Sequence, residues 1–398
     1  MAFLDRRSPP HLMTLVLVTG VAALAINVFL PSLPGMARDF GVDYGLMQLA
    51  VSGYLAVSAA MQLVIGPISD RFGRRRVLLG IFALFVLATL AAMLAPTAHL
   101  FLAARFAQAV VATAFVVARA AVRDIVGGPA AASMIGYVTM GMSLVPMVGP
   151  VLGGAIDEWL GWRASFAVLL LCGTLVLALV WADFGETLST GGVPFRAQLR
   201  AYPVLLRAQR FWGYSLSAAF SSGLYFAYLG AAPYVGEQVF GLSAAQVGYF
   251  FALPAFGYAV GNFVSGRFAM RLGMDRMVLW GAVLGTGAIA VALLADLAGA
   301  LGPVVFFGAV GVAGMGNGIT LPSANAGMMS VRPELAGTAS GLGATLTIGG
   351  GAALSALAGA LMGPQTGATP LLALMLISSA ASIGAILWVM ARRRALGI

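Results

Sequence analysis

The sequence predicts an all-α polytopic membrane protein, with twelve transmembrane helices in two pseudo-symmetric six-helix bundles. Three observations lead there. Of 398 residues, 61% are hydrophobic and 9% charged, with a mean hydropathy of +0.97, a balance that a water-soluble domain of this size does not carry. The apolar residues fall into twelve runs, each near the roughly 20 residues that cross a bilayer core. The chain also repeats itself two hundred positions on: Gly66, Arg71, Gly73 and Arg76 match Gly266, Arg271, Gly273 and Arg276, and Phe40-Gly41 matches Phe240-Gly241.

The elements follow in order. After MAFLDRRSPPH comes an apolar run over 12–36, too long for a signal peptide and without a clear small-residue cleavage site, so a retained first span is expected. Runs at 46–68, 77–95, 100–122, 131–155 and 164–182 complete a first half, 1–182. A polar stretch, 183–210, carries Glu186, Arg196, Arg200 and Arg207 and reads as the linker. Runs at 211–235, 244–265, 277–298, 302–324, 337–361 and 370–391 make the second half, 211–398. An even number of spans puts both ends on one side, and arginine placement says which. All 22 basic residues are arginine. Eighteen fall in segments on the side of the termini, only Arg38 and Arg163 on the other, and Arg105 and Arg119 lie within the fourth run. The positive-inside rule makes both termini cytoplasmic, in a multi-pass protein of the cell inner membrane. The formal charge of +9 is then mainly a topology signal, with a weak attraction for lipid head groups and no nucleic-acid partner.

Several chemistries are excluded on composition. The single Cys172 allows no intrachain disulfide or cysteine cluster, and His11 and His99 are too few for a metal site. No G-x-x-x-x-G-K-[ST] phosphate loop exists for ATP, and no converging carboxylates, histidines or nucleophile pair mark an enzyme. No metal or cofactor is expected.

Between the second and third runs, Gly66, Asp70, Arg71, Gly73, Arg74 and Arg75 stand in the order G-x-x-x-D-R-x-G-R-R, which resembles the signature of the major facilitator superfamily. The resemblance implies a transporter of twelve helices in two halves, and a parallel repeat around a central cavity is what a rocking transporter is built from. In the fourth run Arg105 and Gln108 look like the R-x-x-Q motif of that family, with Ala109 where glycine is usual. In the fifth, Gly149-Pro150 and Gly153-Gly154 resemble the motif that marks exporters, especially antiporters. Glycines there let helices approach closely, while Pro146 and Pro150 remove backbone donors. The stretches AINVFLPSLPGMARDF at 25–40, ARAAVRD at 118–124, GWRASF at 161–166 and RPELAGTASG at 332–341 resemble the Bcr/CflA group of drug/proton antiporters, which confer bicyclomycin and chloramphenicol resistance.

One departure bears on mechanism. Where that group carries an aspartate, this chain has Asn27, and asparagine cannot titrate. All 13 acids fall toward the ends of the runs rather than mid-membrane, so no other carboxylate replaces it as a buried proton carrier. Asn27 is natural in a branch that couples otherwise, marks an uncoupled carrier, or is an engineered change. The expected function is export of small amphipathic molecules by alternating access, with or without protons. The alternatives are an uncoupled facilitative carrier for a metabolite and a non-transporting receptor. A monomer is the family expectation.

The resemblance also implies a latch at the cytoplasmic face, with Asp70 against the start of the eleventh span and Arg74 against Asp124. Arg71 and Gly73 belong to the same hairpin. An intramembrane arginine is costly enough that Arg105 and Arg119 should face a cavity, a partner or the interface. In a cavity lacking acids they favour neutral or anionic solutes. Ser217, Ser221, Tyr225 and Tyr228 recur on one helical face, with Tyr258 and Asn262 and then Asn317 and Thr320 also at helical spacing. These line an amphipathic pocket or bond helix to helix.

Overall fold

The structure, a computed structural model, describes residues 4–6, 8–126, 134, 138, 145–188, 203–332, 335–363 and 366–397. Residues 131–133, 135–137 and 139–144 of the fifth run, 189–202 of the linker and Glu334 lie outside the described residues. What is described is helical: α1 (Leu12–Asn27), α2 (Leu33–Phe40), α3 (Tyr44–Met47), α4 (Leu49–Phe72), α5 (Arg74–Met93), α6 (Ala98–Gln108), α7 (Ala114–Ile125), α8 (Val145–Leu160) and α9 (Trp162–Asp183), then α10 (Gln209–Tyr234), α11 (Ala244–Leu272), α12 (Met274–Leu297), α13 (Pro303–Ser330), α14 (Ala336–Leu361) and α15 (Thr369–Ala395).

Some runs are interrupted where the sequence demands it. Pro31 and Pro34 lack the amide hydrogen that would continue α1, so one 3₁₀ turn over Leu30–Ser32 separates α1 from α2. Gln48 likewise sits at the junction of α3 and α4. The two-hundred-residue repeat reappears in backbone conformation. Gly73 and Gly273 end α4 and α11 with φ of +92° and +82°, values that side chains of L-residues seldom adopt. Gly41 and Gly241 match at +64° and +65°.

Ten helical segments among the described residues are long and apolar enough to cross a membrane, against the twelve expected. The two short of that standard are α8, described over 16 residues, and α10. The latter is 26 residues long but carries Ser215, Ser217, Ser221, Ser222 and four tyrosines, which dilute its apolar character. It tolerates them because its neighbours cover most of it.

Helices up to α9 pack chiefly on one another, with α5 on α6 and α9 and α1 on α8 and α9. Those from α10 onward do the same, with α13 against α11 and α12 and α10 against α14 and α15. The two groups meet along α8–α11 and α4–α14. A methyl added at Gly154 would run into the Ala244 carbonyl, and one at Gly248 into that of Pro150. At this seam backbone touches backbone, which only glycine allows.

Candidate functional site

The fourth-run motif forms a clamp inside the first bundle. Arg105 is fully buried. Its guanidinium donates to the Ala25 carbonyl at 3.2 Å, the Ala50 carbonyl at 3.3 Å and the Gln108 side-chain oxygen. Gln108 Nε2 in turn donates to Thr89 Oγ1 at 2.7 Å. The Arg105 Cζ atom lies 4.4 Å from the Phe29 ring centroid and 4.5 Å from that of Tyr54. No carboxylate is among its described partners. Carbonyl dipoles and ring faces spread the charge instead, and a desolvated cation–π contact contributes about 2 kcal/mol. Arg105 thereby ties α6 to α1 and α4, and Gln108 adds α5. Of the two arginines expected to charge a cavity, Arg105 is enclosed in protein, and Arg119 lies near the end of α7.

Asn27, at the end of α1, is also buried, and its Nδ2 donates to the Ala23 carbonyl at 2.7 Å. A methyl built on Gly149 would come 3.3 Å from Asn27 Cβ, and one on Gly153 would meet the Val28 carbonyl. Gly149 and Gly153 therefore seat α8 on α1, whereas Gly154, one residue on, seats it on α11 of the other group. Pro150 lies within α8, and its carbonyl stands where a Gly248 side chain would go.

Polar residues of the second bundle divide between helix pairing and small pockets. Ser217 bonds Ser382 at 2.9 Å, and Ser221 donates to Asn317 Oδ1 at 3.0 Å. Thr320 reaches the Val278 carbonyl at 3.4 Å, and Asn262 donates to the Tyr258 carbonyl at 3.0 Å. Ser221, Asn317, Ser379 and Ser382 line a small cavity. Tyr225 stacks on Tyr228, whose fully buried ring lies 4.8 Å from Phe251 and whose hydroxyl has no hydrogen-bond partner among the described residues.

At the end of the molecule bearing the termini, the described bonds of the charged hairpin stay within the first bundle. Arg74 is buried and pairs with Asp70 at 2.5 Å and Asp124 at 3.0 Å. Arg71 lies over its neighbour Phe72. The expectation puts Asp70 at the start of α14; its described partner is Arg74. Glu186 was read as linker only. Its carboxylate accepts from the Arg74 amide at 2.8 Å and the Arg75 amide at 3.3 Å, capping α5. It fills the space where a Gly73 side chain would stand. Its only sequence signal was its place, with Asp183, among the first residues of the linker.

At the opposite end three hydrogen bonds cross between the halves. Arg38 pairs with Glu237, the Tyr44 hydroxyl donates to the Gly230 carbonyl at 2.7 Å, and Gln48 Nε2 donates to Ser355 Oγ at 2.8 Å. Tyr44 also packs on Tyr234, with centroids 4.9 Å apart. Sequence reasoning passed over Tyr44 and Gln48, which look like ordinary polar residues at the start of a run.

Comparison with known proteins places these features. The model of the Major Facilitator Superfamily matches residues 15–356. An uncharacterized MFS-type transporter, YdgK, of Bacillus subtilis is 31% identical over 89% of both chains. A chloramphenicol resistance protein of Pseudomonas aeruginosa is 33% identical over 74% of this chain and 71% of its own. Among solved structures, a bacterial homolog of the human lysosomal transporter Spinster, inward-facing and occupied, superposes with a TM-score of 0.71. It is 18% identical, over 96% of this chain and 94% of the other.

Proposed function

Because the chain belongs to the major facilitator superfamily, and is thus a secondary transporter, we propose that it exports small amphipathic organic molecules across the cytoplasmic membrane by alternating access. In this reading twelve spans form halves 1–182 and 211–398 joined by the linker 183–210, and both termini are cytoplasmic. The observation that carries it is the arrangement of contacts between the groups. The described inter-half hydrogen bonds lie at the end away from the termini, while the charged hairpin bonds within its own half. Described bonds that join the halves at one end fit a state that an alternating-access carrier must visit. Export is supported by the Gly149-Pro150 and Gly153-Gly154 motif in α8, and the substrate class by the similarity to a chloramphenicol resistance protein.

A transport screen in an efflux-deficient bacterium tests the reading. The wild-type chain should raise tolerance to neutral amphipathic drugs such as chloramphenicol, and Arg105→Ala should abolish the gain. Unchanged tolerance across such a panel counts against export.

A second reading, an uncoupled carrier, is favoured by Asn27, whose amide cannot exchange a proton and is committed to the Ala23 carbonyl. Counterflow in proteoliposomes separates the two. Insensitivity to pH marks the uncoupled carrier, and gradient-driven uptake that rises on Asn27→Asp marks a latent coupling position.

A further inference from the structure

We propose that Gln48 is the pin that locks the halves at the end away from the termini, and that this neutral contact, rather than the Arg38–Glu237 ion pair, sets how readily that end opens. The inference rests on the alternating-access reading. Gln48 is fully buried at the break between α3 and α4. Its Nε2 donates to Ser355 Oγ at 2.8 Å across the seam, while Ser52 of its own half donates to its Oε1 at 3.2 Å.

Two glycines of the other half make the notch. A methyl on Gly230 would stand 2.6 Å from Gln48 Nε2 and 2.5 Å from Ser355 Oγ. One on Gly359 would stand 2.6 Å from Gln48 Cγ. The amide is thus threaded between α10 and α14, and opening this end requires its withdrawal. Arg38 and Glu237 are 62% and 25% exposed, and such pairs are screened and contribute little. A buried amide whose partners are left unsatisfied on removal is worth more.

The test uses full-length protein in lipid nanodiscs, with Cys172 replaced by alanine and spin labels at two pairs of exposed sites. Leu160→Cys with Val239→Cys reports the locked end, and Phe72→Cys with Met270→Cys reports the end bearing the termini. Gln48→Ala should raise the population with a long Leu160–Val239 distance about tenfold and shorten the Phe72–Met270 distance. Gly359→Val, which blocks the notch from the other half, should do the same, and Arg38→Ala should change neither pair. If Gln48→Ala and Gly359→Val leave the locked-end distances as in wild type, or if Arg38→Ala shifts them as far, the assignment is overturned. If the locked end opens while the other end does not close, the pin stands and the alternating-access reading falls.

Discussion

A guanidinium held by two backbone carbonyls, an amide and two aromatic faces is not replaceable by a point charge. Lysine at position 105 would keep the charge and lose the fork that reaches Ala25, Ala50 and Gln108 together. Arg105→Lys should therefore lower the thermal unfolding midpoint in detergent almost as far as Arg105→Ala. The loss is about 3 kcal/mol, from several buried charge-assisted bonds and the ring contacts. A midpoint for lysine equal to wild type would show that charge alone matters here. The R-x-x-Q spacing made the Arg105–Gln108 contact legible beforehand, because residues three apart share a helix face. It was silent on Thr89, Phe29 and Tyr54, which come from helices remote in sequence. It was equally silent on whether the face turned toward water or protein.

At the scale of the element, the hairpin between α4 and α5 combines a positive-φ glycine with a cap borrowed from far along the chain. Gly73 is needed twice, for its φ of +92° and for the room that the Glu186 carboxylate occupies. Gly73→Ala should destabilise the protein by about 1–3 kcal/mol. Because the two residues share one space, Gly73→Ala and Glu186→Ala should be non-additive in a double-mutant cycle read by thermal unfolding. Additivity within about 0.5 kcal/mol would separate them. The hairpin was conspicuous in the sequence because charges clustered in an apolar background. Its cap was not, since 112 residues separate Arg74 from Glu186 and no local pattern encodes that meeting. Neighbouring glycines in α8 divide their work in the same hidden way, Gly153 facing α1 and Gly154 facing α11. Gly154→Val should therefore spare insertion and abolish transport by forcing the seam apart.

For the whole molecule, repeat and composition carried the architecture because both are averages over many residues, insensitive to any one contact. The state of the carrier is set instead by a few contacts between halves, which periodicity does not reveal. Asp70 illustrates the difference. It is bonded by Arg74, whereas the resemblance places it at the start of α14. Asp70→Asn should slow efflux while leaving membrane insertion intact, and wild-type rates would remove the latch. A C-terminal fluorescent protein fusion should glow and an alkaline phosphatase fusion should stay inactive if the termini are cytoplasmic.

The polarity of α10 has a consequence for how the chain is made. A segment with so many hydroxyls gains too little from lipid to stay there by itself, and the helices that shelter it, α14 and α15, leave the ribosome more than a hundred residues later. During synthesis it must linger at the translocon or be handed to a chaperone until its protectors arrive. In nascent chains halted before Ala336, a cysteine placed in this stretch should react with a water-soluble thiol reagent, and release of the finished chain should protect it.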